Sequence, residues 1–184
     1  MDHSHIVTRF DKDLSEIESL LVEMADLVAK QISDSALALQ LGDNQLAKAV
    51  TKNDSKINRL EEKIDDKAIR LIALRQPMAE DLRSAITTLK VSNCLERMGD
   101  YAKTLSYRAR KVDDFSAMKS ILRSITETSE KIINMLNVVM EAYVNRDLNK
   151  AYDAREADQE INDRTDALFR ELLKIGRASC RERV

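Results

Sequence analysis

Apolar residues recur at intervals of three and four from Ile6 through Phe10, Leu14, Ile17, Leu21, Met24 and Val28. That spacing lays one stripe along a helix, predicted from Ile6 to Leu41. "LGD" ends it: Gly42 suits a left-handed C-terminal cap, and Asp43 an N-cap for the next helix. The second helix runs to Arg75, with Leu46, Val50, Ile57, Leu60, Ile64, Ile69 and Ile72 as inward positions. "RQPMAEDLR" is the sharpest break. Pro77 fits the first turn of a third helix, and Glu80 and Asp81 favour its positive end. This helix is predicted from Pro77 to Val112, with Asp113 or Asp114 capping the next. The fourth runs from Phe115 to Val144, carrying Met118, Leu122, Ile125, Ile132, Leu136 and Val139 inward. A fifth starts near Asp147. Long helices with short connections predict an all-α, elongated antiparallel bundle.

Composition agrees with the pattern. Three glycines, one proline and no tryptophan leave a core of Leu, Ile, Val, Ala and Met. The formal charge of −2 gives no overall basic balance for nucleic acid. No apolar run approaches the ~20 residues of a membrane span, and "MDHSHIVTRF" has no signal-peptide character. A cytoplasmic protein is expected. Two cysteines imply no disulfide framework; Cys94, beside Leu95, reads as a small buried filler. Residues 175–184, "IGRASCRERV", break the helical pattern and resemble a translated sequencing adapter, so they are read as a non-native tail.

An internal repeat appears at an offset of 104. "DNQLAKAVTKNDSKIN" (43–58) and "DLNKAYDAREADQEIN" (147–162) share Asp43/Asp147, Ala47/Ala151, Asp54/Asp158, Ile57/Ile161 and Asn58/Asn162. Both copies begin just after a helix break. This predicts two three-helix repeats, the first over 5–112 and the second incomplete, two helices over 113–174. The counterparts of Glu96 and Asp100 would fall at positions 200 and 204, past the last residue.

Candidate chemistry centres on "LERMGD". Gly99 stands inside a helix, at a cost of about 1 kcal/mol relative to alanine, between Glu96 and Asp100 on one face. Glu96 lies 19 residues after Pro77 and Asn58 lies 19 before it; Asp100 and Asp54 are each 23 away. In a hairpin folded at Pro77 the two pairs sit level, roughly 30 Å from the turn at ~1.5 Å per residue. Three carboxylates and an amide then face one seam, a donor set for iron, manganese, magnesium or calcium. The competing account is a solvated charged face on which Arg59 and Arg97 pair with the acids. His3 and His5 offer metal ligands only at a mobile terminus. Both precede the bundle, which argues against a di-iron enzyme needing Glu-x-x-His pairs inside it. No P-loop, dinucleotide-binding or nucleophile-elbow motif is present. Arg70, Arg75 and Arg83 flank the Pro77 turn as a possible basic contact patch or a solvated helix end.

The segments "AIRLIALRQPMAEDLR", "LERMGDYA" and "NDSKINRLEEKID", with "HIVTRFDKDL" near the start, resemble the PhoU family of phosphate-uptake regulators over residues 5–174. The resemblance implies a six-helix fold of two repeats. It also implies a non-enzymatic adaptor that represses the phosphate-starvation response when phosphate is plentiful. Such a protein links the ATPase subunit of the phosphate ABC transporter to a sensor histidine kinase. The family implies a homodimer, at most peripheral to the membrane. It also implies divalent or iron-type metal clusters on E/D-x-x-x-D motifs. Glu96 and Asp100 match that motif; Asp54/Asn58 and Asp158/Asn162 match with asparagine, a weaker and neutral ligand, in the last position. The alternative function is a structural helical-bundle interaction protein with no metal and no phosphate role.

Overall fold

A computed structural model describes residues 3–112 and 118–181, with side chains placed over 10–112 and 118–174. It holds five helices: α1 (His3–Leu41), α2 (Asn44–Arg75), α3 (Ala79–Ala109), α4 (Lys119–Asn145) and α5 (Leu148–Arg181). No strand occurs among the described residues. Among the described residues no helix is long and apolar enough to cross a membrane. Helix α1 is the common axis: it packs on α2, α3 and α4, while α2 packs on α3 and α5 on α4 alone.

The predicted α1 stripe supplies the core. Phe10, Leu14, Ile17, Leu21, Met24 and Val28 are all buried. They meet Ile57, Leu60, Ile64 and Leu71 of α2, Ala85, Leu95 and Ala102 of α3, and Leu136 and Met140 of α4 in one cluster. Complete burial of such aliphatic side chains stabilises by about 1.5–3 kcal/mol each. A smaller cluster of Leu39, Ala109 and Leu122 closes the opposite end of α1.

Three inward assignments change. Ile69 is 58% exposed, because α2 continues its stripe from Ile64 through Ala68 to Leu71. Val139 is exposed and Met140, four residues after Leu136, takes the buried place. Cys94 is exposed rather than a core filler; Leu95 alone turns inward.

The punctuation follows local chemistry. Gly42 has φ 64, and the Asp43 N–H reaches back to the Ala38 carbonyl at 2.9 Å. The Asp43 carboxylate accepts the N–H groups of Gln45 and Leu46, capping α2. The same arrangement recurs 104 residues later. Arg146 has φ 54, the Asp147 N–H donates to the Ala142 carbonyl at 2.9 Å, and Asp147 Oδ1 accepts from Asn149 and Lys150. Pro77 lies outside α3. Gln76 caps α2 in the left-handed region, its N–H on the Ile72 carbonyl, and α3 begins only at Ala79. The α-region is disfavoured for a residue preceding proline, so α2 stops there. Glu80 and Asp81 do occupy the first turn of α3. The Asp113 and Asp114 caps lie outside the described residues, and Met118 precedes α4 without a side-chain cap. Helix α5 continues across Gly176 to Arg181, where the sequence suggested a break.

Among the described residues the α3 and α4 backbones do not pack directly; side chains span the gap, in the Leu39–Ala109–Leu122 cluster at one end and a polar contact at the other. The hydroxyls of Thr88, fully buried, and Tyr143 are 2.6 Å apart. Burial pushes the Tyr143 phenol above its ordinary range. Beside this contact a cleft of about 740 Å³ opens between α3 and the α4–α5 turn, lined in part by Arg83, Thr87, Val139 and Arg146.

Asp43 carries the whole side-chain cap of α2. Asp43→Ala is therefore expected to cost about 1 kcal/mol, read as a lowered urea midpoint with an unchanged slope. An unaltered midpoint would mean that the cap contributes nothing.

Candidate functional site

Across the α2–α3 seam Asp54 and Asp100 are linked through Lys103. The centre of the seam is Asp54, 3% exposed. Gln31 of α1 donates from Nε2 to Asp54 Oδ1 at 2.9 Å and to the Gly99 carbonyl at 2.9 Å. One amide thus ties α1 to both other helices. Lys103, one turn beyond Gly99, donates from Nζ to Asp54 Oδ2 at 2.7 Å and to Asp100 Oδ1 at 3.1 Å. A buried carboxylate without partners is costly; here both oxygens are engaged.

Gly99 is explained by this closeness. A Cβ added there would stand 3.0 Å from Ile57 Cδ1 and 3.7 Å from Gln31 Nε2. Ile57 is itself fully enclosed, so its tip has little room to yield. The glycine lets α3 approach α2 and exposes its carbonyl to Gln31.

Towards the Pro77 turn the seam stays acidic. Glu96 is held above the usual carboxylate range, first by burial, then by repulsion from and a hydrogen bond to Asp100, and by Asp54; Lys103 opposes these. Glu61 is also raised, first by burial, then by Glu96 and Asp65, with a hydrogen bond from Asn93 working the other way. Asn58 lies half-buried on α2 between Asp54 and Glu61. Arg97 does not pair with the acids: it donates to the Tyr101 hydroxyl at 3.3 Å.

The remaining candidates are dispersed. Asp158 and Asn162 are exposed on α5 and hydrogen-bonded to each other at 3.1 Å, with no second helix brought to them among the described residues. The side chains of His3 and His5 lie outside the described residues. Arg75 is committed to Asp13 at 3.1 Å, and Lys67 to Glu16 at 3.0 Å. With Arg70 they border a groove of about 340 Å³ between α1 and α2, away from Arg83. The three arginines therefore do not form one patch.

Could the seam hold a metal? The oxygen donors suit a hard cation, and the mutual repulsion of Glu61, Glu96 and Asp100 would be relieved by one. The placement does not suit it. Asp54 has both oxygens occupied by Gln31 and Lys103. Among the described residues no group of three or more His, Cys, Asp or Glu is arranged around a common point for a metal.

Four participants escaped the sequence reading. Glu61 and Asn93 are each 16 residues from Pro77, so the same counting finds them. Lys103 is one turn past Asp100. Gln31 had a weaker signal, a polar residue continuing the Leu21, Met24, Val28 stripe of α1.

Gly99→Ala should lower stability through the Ile57 contact, by more than the helix propensity gained. In an Ile57→Val background, which lacks Cδ1, the same change should cost less or stabilise. Identical effects in the two backgrounds, by urea unfolding, would rule out the contact. For Glu96 the sign follows from linkage. An acid whose folded value is raised holds its proton more tightly when folded, so its ionised charge weakens the fold above that value and the cost vanishes below the ordinary range. Glu96→Gln is expected to raise Tm at neutral pH, with an advantage that fades in acid; a gap that does not change with pH would refute this.

Comparison with known proteins follows the same geometry. The PhoU domain family model matches residues 21–109 and again residues 125–183. The phosphate-specific transport system accessory protein PhoU homolog of Caulobacter vibrioides is 37% identical over 169 residues, covering 92% of this chain and 74% of that protein. Its counterpart in Clostridium acetobutylicum is 35% identical over 167 residues, covering 90% and 76%. The crystal structure of PhoU from Pseudomonas aeruginosa superposes with a TM-score of 0.87 at 29% identity, over 94% of this chain and 82% of that one.

Proposed function

The chain belongs to the PhoU family, and on that premise we propose that it is an accessory, regulatory protein of phosphate-specific transport. The observation that carries this is likeness across 92% of the chain to proteins named for that role. It acts by binding. Its most elaborate polar cluster, around Asp54, is enclosed and spent on joining three helices. In the finer reading, the chain works on the cytoplasmic side and docks with the ATPase subunit of the phosphate ABC transporter. It couples that subunit to a sensor histidine kinase and holds the starvation response down when phosphate is abundant. A homodimer is part of this reading.

The organisation proposed with it is a pair of three-helix units, the second short of one helix. Two observations favour this. One family model matches twice, and the Asp43 and Asp147 caps share one geometry at an offset of 104. In the first unit α1, α2 and α3 all touch each other, whereas among the described residues α5 has only α4. A purely structural bundle protein remains the second reading, favoured by the internal use of the Asp54 cluster.

Two measurements separate them. The full chain should co-purify with the transporter's ATPase subunit. Supplied to cells lacking their own copy, it should also restore repression of a phosphate-starvation reporter in high phosphate. Absence of both effects would leave the structural reading.

A further inference from the structure

We propose that Lys103 is a built-in counter-cation, occupying the position between Asp54 and Asp100 that a metal ion would fill in an acidic seam of this kind. Three observations carry it. The ammonium stands 2.7 Å from Asp54 Oδ2 and 3.1 Å from Asp100 Oδ1, so a single cationic atom bridges carboxylates from two helices. The Asp54 side chain is 4% exposed and that of Lys103 is 37% exposed, so a partly exposed lysine places its ammonium on a buried carboxylate. The other Asp54 oxygen is held by Gln31, so each oxygen of this buried carboxylate already has a donor.

The chemistry of the two cations differs. A divalent ion draws carboxylate oxygens to about 2.0–2.6 Å and needs six or more of them, or water in their place. An ammonium has three donors, accepts ordinary hydrogen-bond distances and is tethered to the chain. It neutralises the buried charge of Asp54 and cannot be lost to a chelator. It also repels any second cation. Among the described residues the Lys103 ammonium is in contact with Asp54 and Asp100, with Glu96 next along the seam. Closure of α1, α2 and α3 is then independent of metal supply, although the seam has the residue types of a metal site.

The test is binding of Mn²⁺ alone to the full 184-residue chain, with free ion counted by electron paramagnetic resonance. Lys103→Met should gain a saturable Mn²⁺ site absent from the wild type, at least about tenfold tighter than any wild-type binding, as removal of a like charge at hydrogen-bond range requires. Lys103→Gln keeps a donor for Asp54 without the charge. It should gain the same site in a background whose folding is confirmed by circular dichroism. Adding Asp54→Asn should abolish the gain, and Mn²⁺ should raise Tm in the Lys103 variants only. Wild-type binding as tight as that of the variants would overturn the proposal, as would folded variants that gain no Mn²⁺.

Discussion

Everything in the α1–α2–α3 unit is arranged around one side-chain amide. Gln31 gives its two N–H groups to an anionic oxygen on α2 and a backbone carbonyl on α3. That carbonyl is free to accept only because the position is glycine and the helices can close on it. The amide is buried, where an unmade hydrogen bond costs about 1–3 kcal/mol. Hydrophobic burial brings the three helices together, but it would tolerate sliding. A buried amide with two fixed acceptors does not. The lock sets the height of each helix against the other two, and the level arrangement of Asp54 with Asp100 is its result.

The acidic seam shows how one motif can serve opposite ends. At Asp54 charge is matched and enclosed: an ammonium on one oxygen, an amide on the other. One turn nearer the Pro77 turn, Glu96 and Glu61 repel each other and their neighbours, and both hold protons more tightly than isolated carboxylates do. The strain is tolerable because these groups lie nearer the surface, where water screens them. Stability is concentrated at one end of the seam and electrostatic cost at the other.

Much of this was legible before any coordinates. Periodicity of three and four found α1 and its buried face, because burial on one side of a long helix leaves no other spacing. Counting from Pro77 found the seam, since two straight helices joined by a tight turn keep register. The counting survived the finding that α3 starts two residues later than the proline. What failed depended on neighbours. Ile69 and Val139 are apolar but lie a residue away from the stripe that their helices bury. Cys94 was judged by its chemistry rather than its angle on α3. Gln31 and Lys103 lie beyond what counting from Pro77 reaches: Gln31 sits on α1, level with Asp54 only when register is counted from the Gly42–Asp43 turn, and Lys103 resembles any surface lysine. The asparagines at 58 and 162 match in sequence, yet one lines a seam and the other faces solvent, because among the described residues α5 packs on α4 alone.

The Thr88–Tyr143 contact has a mechanical meaning. Helix α4 is bedded on α1 through Leu136 and Met140, while on its α3 flank it is held at two heights, by the Thr88–Tyr143 hydroxyl pair near the α4–α5 turn and by the Ala109–Leu122 cluster at the other end. Against α1 the α4–α5 pair is glued; against α3 it is guyed at both ends, by a polar stay and an apolar one. Tilting that pair away from α3 must break the hydroxyl contact at one end and open the small apolar cluster at the other, whereas sliding it along α1 must uncouple a packed core.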